Sequence, residues 1–361
     1  MSFLCKIKNP IMFQGHLRKK QYFEGWFYKL VDAQESNIYA IIPGISFDHR
    51  RQSSHCFIQV LNGITGRTDY VAYPLSEFHS SAKSFHIRIG GSTFTADSLR
   101  LDIANPDIRV SGEVKFDNRV TWPFRWQAPG VMGWYSYVPF MECYHGLISM
   151  NHSLQGSLKV DHQKIDFTGG KGYGEKDWGS SFPEGYVWMQ SNHFTDDSLS
   201  FMASVAKIPW LATSFIGFIV FLWHDGVWYP FTTYTGAKLT SLHITSEAVE
   251  MVVMDKRHRL EILALRHEKA GFRRGEGLLR APVKGAMVAR VLETHTSRIH
   301  LKLYALKEGG IQHPPLLSDE GRHAGLEMKM TEVLSRATPE RTRFSLKMPQ
   351  REQFESHLPC P

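Results

Sequence analysis

Short apolar or alternating runs recur along the chain, separated by Gly, Asn, Asp and Pro, while long helical periodicity is almost absent. In the first half they include Tyr22–Val31, Tyr39–Ile42, Cys56–Leu61, Phe85–Ile89, Ile108–Phe116 and Leu154–Val160. The second half continues with Tyr186–Asn192, Leu199–Val205, Phe215–Trp223, Lys238–Ile244, Val249–Met254, Leu260–Ala264 and Ile299–Leu306. Many short strands divided by turn residues predict an all-β architecture, sandwich or barrel. Within Tyr22–Lys29, alternation puts Tyr22, Glu24, Trp26 and Tyr28 on one face, with Phe23, Gly25, Phe27 and Lys29 on the other. A carboxylate sharing a face with three aromatic rings either lines a cavity or meets a buried partner. The uncharged run from Ile208 to Trp223 is shorter than the ~20 residues of a spanning helix. It contains Pro209 and Gly217 and leads into the turn signal His224-Asp225-Gly226, which predicts a buried hairpin.

Length changes the picture first. A chain of 361 residues exceeds one comfortable core. Two β domains are expected, 1–180 and 181–336, with a polar tail over 337–361. The net charge of +7 is scattered, and no nucleic-acid-binding signature accompanies it. A solvated surface is the simpler reading. A weak attraction to anionic membranes or lipid droplets would suit a lipid-like ligand. The cysteines Cys5, Cys56, Cys143 and Cys360 show no zinc spacing, so free thiols in a reducing compartment are expected. The opening MSFLCKIKNP lacks the apolar core of a signal peptide and the character of a transit peptide. The expected location is cytoplasmic, peripheral to a membrane at most.

Three aromatic-rich segments carry the candidate chemistry: Tyr22–Lys29, Gly133–Gly146 and Gly172–Pro183, the last running on into Trp188-Met189-Gln190-Ser191-Asn192. In this order they resemble the tocopherol cyclase family. The likeness spans about Tyr22 to Met330, including Leu279-Arg280-Ala281-Pro282 and the strand Ile299–Leu306. The Glu-Gly-Trp-Phe and Glu-x-x-Trp-Gly elements also look like those of carotenoid hydratases and related proteins. The resemblance therefore implies two lipocalin-like (calycin-type) antiparallel β-barrels or curved sheets packed together. It further implies closure of a chromanol ring on a prenylated quinol, with no metal, nucleotide or redox cofactor. Unlike the plant enzymes, this chain shows no plastid-targeting extension.

Ring closure needs three things from a protein. A carboxylic acid must stay neutral at pH 7 to protonate the alkene, which burial among apolar groups achieves. Aromatic faces must lie near the developing cation. Water must be excluded, or the cation is hydrated instead. Glu175, three residues before Trp178-Gly179, is the first candidate acid by the family likeness; pairing with Lys171 or Lys176 in a structural turn is the plainer reading. Glu142 is second, because alternation groups it with Phe140 and Tyr144. Glu24 more simply anchors the first barrel. Asp177 either takes the quinol proton or caps a turn. Trp26, Tyr28, Tyr137, Tyr144, Trp178 and Trp188 are candidate cavity walls. Gln190, Asn192, His193 and His145 are candidates for holding a quinol oxygen. His145 and His152 lack metal-ligand spacing, Gly170–Gly174 opens no helix that would cradle phosphate, and no GxSxG occurs. The Trp122–Tyr137 loop serves either as a lid or as a plug. Two rivals stand beside the cyclase: a non-catalytic isoprenoid or lipid binder, and a hydratase of the same chemistry.

Overall fold

The computed structural model describes all residues except 1–2, 18, 50–52, 212, 269–277 and 330–361, together with the backbone but not the side chains of 3–5. The expected tail over 337–361 lies outside the described residues. Strands from Tyr22–Val31 to Lys171–Gly179 form a twelve-stranded sheet, and those from Tyr186–Ser191 to Leu317–Lys329 form a ten-stranded one. The architecture is all-β, as the short runs predict. In each sheet the first strand pairs antiparallel with the last long one: Tyr22–Val31 with Lys171–Gly179, and Tyr186–Ser191 with Leu317–Lys329.

This pairing forces curvature. The edges of the first sheet, Thr68–Tyr73 and Phe78–Ser80, are consecutive in the chain, as are Val227–Thr232 and Lys238–Ile244 in the second. A flat sheet of some ten strands would hold its edges roughly 45 Å apart. The links over 74–77 and 233–237 reach less than about 25 Å even when extended. Both sheets therefore wrap round, giving two lipocalin-like curved sheets. Each encloses its own core: Trp26, Tyr28, Ile58, Phe94 and Phe116 among others in the first, and Met189, Phe201, Leu222, Ile262 and Leu301 in the second.

A third apolar cluster lies between the sheets. Leu147 and Tyr173 from the first meet Tyr186, Trp188, Met202 and Phe221 from the second. A two-stranded hairpin, Leu279–Val283 with Ala286–Val291, reaches back from the second half onto the first. Gln59 holds it by donating to the Arg280 carbonyl (3.0 Å) and accepting from the Arg280 N–H (2.8 Å). The uncharged run Ile208–Trp223 crosses the turn between the paired strands Leu199–Trp210 and Thr213–His224. Among the described residues no helix is long and apolar enough to cross a membrane.

Glu24 does meet a buried partner. Its carboxylate lies 2.5 Å from Lys176 Nζ, and both side chains are fully buried. Glu24 also accepts from the Tyr22 hydroxyl and from the backbone N–H groups of Gln14 and Gly15. Lys176 donates to the carbonyls of Pro10 and Met12. Burial lowers the Lys176 pKa to about 8, against the pull of Glu24. This pair ties the N-terminal segment to the first barrel. Removing one partner strands a buried charge. Glu24→Gln should lower the unfolding free energy by about 3–5 kcal/mol, measured by urea denaturation. The double variant Glu24→Gln/Lys176→Met should recover much of that loss.

Candidate active site

The site grows from the two-residue period of the strand Lys171–Gly179. Its even side, Lys176 and Trp178, turns into the first barrel. Its odd side, Tyr173, Glu175 and Asp177, turns toward the second sheet, where Glu175 and Asp177 reach a cavity. With the open space at its mouth included, that cavity takes in about 1380 Å³. Its walls come from both sheets, the hairpin and the 132–143 loop. They include Phe23, Phe27, Tyr135, Phe182, Trp188 and Phe215. Gly25 is the Cα partner of Asp177, so no side chain from that position covers the carboxylate.

Glu175 is buried, and its Oε2 accepts from the Tyr173 hydroxyl (2.5 Å) and from the Trp188 indole N–H (3.0 Å). Burial is the main force on its acidity and carries the pKa up to about 7; His145 opposes the rise and Asp177 adds to it. His145 is the cross-strand Cα partner of Asp177. Its Nδ1 bonds Asp177 Oδ1 at 2.9 Å. Its Nε2 has no hydrogen-bond partner and stands 3.6 Å from Glu175 Oε2. Burial alone would lower the His145 pKa, but the two carboxylates carry it to about 9. The result is an imidazolium bridging two acids.

The ligand atoms of His145, Glu175 and Asp177 all lie within 4.8 Å of one another, a grouping that sequence spacing did not reveal.

The other sequence candidates divide by face. Trp188 lines the cavity, as do Glu175, Asp177 and His145. Trp26 and Tyr28 do not; they are packed in the first barrel's core, with the Trp26 indole donating to Ile11 O. Phe23 and Phe27, on the opposite face of that strand, form the wall instead. Tyr144 and Trp178 also face away, stacked on each other with ring centroids 5.4 Å apart. Tyr137 donates to Trp126 O, and Phe140 is exposed against Trp210. Glu142 sits before the strand Cys143–Val160, half-buried and off the cavity wall, and its carbonyl accepts from Ser180 and Ser181. Gln190 is bonded to Lys29, while Asn192 is tied to Asn151 and His193, all away from the cavity. The Trp122–Tyr137 loop contributes Met132 and Tyr135 to the wall. Gly133 lets it approach closely, since its φ is +58° and a Cβ there would meet the Tyr234 ring at 2.5 Å.

Glu293, Glu327 and Tyr186 also line the cavity, and none was singled out from sequence. Glu327 on the last strand is the Cα partner of both Trp188 and Glu293. Nothing in the local pattern marks these acids, because two residues 34 positions apart become neighbours only through strand pairing.

Fold and site together define a double lipocalin-like protein with a titratable cavity between its two sheets. The tocopherol cyclase-like profile matches residues 91–329, and the chain belongs to that family. It is 24% identical over 201 residues to the chloroplastic tocopherol cyclase of Zea mays, and 23% identical over the same length to a probable one of Oryza sativa subsp. japonica. Each match covers 54% of this chain and 41% of the plant chain. Among solved structures, CghA with Sch210972 superposes with a TM-score of 0.53 at 11% identity, covering 86% of this chain and 89% of CghA. That likeness is one of fold.

The His145 titration is directly measurable. Its imidazole signals should titrate near pH 9 by NMR, and Glu175→Gln should lower the midpoint by a unit or more. This pKa lies above the ~6.5 of an unfolded chain. The imidazolium therefore stabilises the fold below about pH 6.5, and that contribution is lost as pH rises through about 9.

Proposed function

We propose that the protein is a cofactor-independent cyclase that closes a chromanol ring on a prenylated quinol. The observation that carries this reading is a buried carboxyl with a pKa near 7, gripped by Tyr173 and Trp188, on the wall of an apolar, aromatic cavity. Glu175 gives its proton to the tail alkene, and positive charge develops at the tertiary carbon. Trp188 and Phe27, with ring centroids 5.6 Å apart, offer π faces to that charge. The carboxylate left behind keeps two hydrogen bonds and faces the His145 imidazolium. The phenol oxygen then attacks the cation and releases its proton to Asp177. His145, bonded to Asp177 and aimed at Glu175, returns that proton to Glu175. The alkene gains one proton and the phenol loses one, so the product is an isomer of its substrate.

Several features support the reading. The cavity wall is mostly apolar and aromatic, and its polar groups are confined to a few positions, which suits a ligand with a long apolar tail. The net charge of +7 suits a weak attraction to the membranes or droplets that would hold such a substrate. Purified protein incubated with reduced prenyl benzoquinols should yield products of unchanged mass; a gain of one water would mark a hydratase, and binding without turnover a carrier. Glu175→Gln should abolish turnover, a loss of 10²-fold or more, while leaving binding intact. Because the active form carries the proton on Glu175, the rate should fall as pH rises through about 7. Turnover should survive treatment with a chelator; its loss would favour a metal between His145, Glu175 and Asp177.

A further inference from the structure

The same cavity holds a second acidic cluster for which the proposed proton cycle has no use. Glu293 and Glu327 are cross-strand Cα partners, the first buried and the second half-buried, and both line the cavity with Tyr186. The Tyr186 hydroxyl donates to Glu327 Oε2 at 2.8 Å. The Glu293 and Glu327 carboxyl groups hydrogen-bond to each other, and Glu293 Oε1 lies 2.5 Å from His295 Nε2. His295 is itself fully buried, and neither ring nitrogen completes a hydrogen bond. A carboxyl pair bonded mainly to itself keeps donor and acceptor capacity for a ligand in the cavity that it lines.

We propose that Glu293 and Glu327 form a polar subsite that takes the hydroxyl of the quinol ring opposite the one that closes the ether. The assignment rests on the quinol cyclase reading and adds a requirement for two oxygens on one ring. The spacing supports it. Trp188 donates its indole N–H to Glu175, while its backbone pairs with Glu327 on the adjacent strand. Glu175 acts electrostatically on Glu293, and Asp177 on Glu327, so the two acidic groups stand near enough for one ring to reach both. The chemistry also fits. Burial, with help from neighbouring carboxylates, holds Glu293 up to about 8 and Glu327 well above the usual range. A neutral carboxyl pair both donates and accepts, as a hydroxyl requires, whereas a carboxylate only accepts. Lys29 is the nearest cation acting on Glu293, but its own pKa is lowered to about 7 by burial, and its Nζ is taken up by Gln190 and the His323 carbonyl.

The test uses ligands that cannot react: a quinol with a saturated tail and its analogue lacking the distal hydroxyl. Binding is read from quenching of tryptophan fluorescence. Wild type should bind the dihydroxy ligand about tenfold more tightly. Glu293→Leu should bring the ratio close to one, and Glu293→Gln, whose amide also donates and accepts, should preserve it. If Glu293→Leu does not fold by circular dichroism, Glu327→Met is read in the same way. A wild-type ratio of one, or an unchanged ratio in the folded Leu or Met variant, overturns the subsite. These ligands carry no alkene, so the result does not depend on turnover. Preference without cyclisation of an alkene-bearing quinol would sink the cyclase reading alone, while cyclisation without preference would sink the subsite alone.

Discussion

The hydrogen bond from the Trp188 indole to Glu175 joins the two halves of the molecule at the point where the chemistry is held. Glu175 belongs to the last strand of the first sheet and Trp188 to the first strand of the second. The same carboxyl oxygen accepts from Tyr173, two residues earlier on its own strand. One sheet therefore positions the acid and the other shields it, and neither alone would make a dry site. If the sheets separated, water would reach Glu175 and the desolvation that raises its pKa would vanish. The apolar contacts between sheets, Leu147 and Tyr173 against Met202 and Phe221, thus control the acidity of one side chain as well as stability.

Strand alternation explains how one short segment does two jobs. In Tyr173–Trp178, odd positions face the cavity and even positions face the barrel. Lys176, between Glu175 and Asp177 in sequence, is directed away from both and neutralises Glu24 inside the barrel. A slip of one residue in register would put a lysine in the cavity and two acids in the barrel core. Such a slip exchanges every contact at once, so the Glu24–Lys176 pair acts as a register lock for the cavity acids. The lock extends to the N-terminal segment, since the same two groups also bind the backbone at Pro10, Met12, Gln14 and Gly15.

Much of the fold was legible because alternation and turn residues are local signals. Strands at Tyr22–Val31, Lys238–Ile244 and Ile299–Leu306 stand where the runs predicted them. The site was legible only in part. Glu175 and Asp177 are visible in a motif, whereas the face that lines the cavity is not. Trp26 and Tyr28 have the composition of a binding wall yet fill a barrel core, and Phe23 and Phe27 line the cavity. Both faces of that strand are buried, one by its own barrel and the other by the second sheet, so no hydrophobic contrast distinguishes them. Glu293 and Glu327 were hidden for a different reason. Each is a single acid in a strand, and its partner is supplied by topology.

The two acidic clusters also show why a high pKa by itself does not identify a proton donor. Protonating an alkene demands an acid that is neutral yet leaves a well-stabilised anion. Glu293 and Glu327 satisfy the first condition more fully, since burial, helped by the charge of Glu175 on Glu293 and of Glu293 on Glu327, holds them protonated. They meet the second less well, because Lys29, the cation that acts on Glu293, has its own pKa lowered to about 7 by burial and is held by Gln190 and the His323 carbonyl. Glu175 sits between the extremes. At a pKa near 7 it is neutral about half the time at neutral pH. Its anion inherits two hydrogen bonds and an imidazolium 3.6 Å away. A charge-assisted hydrogen bond is roughly twice as strong as a neutral one, so those contacts tighten as the proton leaves. Stabilisation that grows along the reaction coordinate is what accelerates a chemical step. That difference assigns proton transfer to Glu175 and leaves Glu293 and Glu327 to recognition.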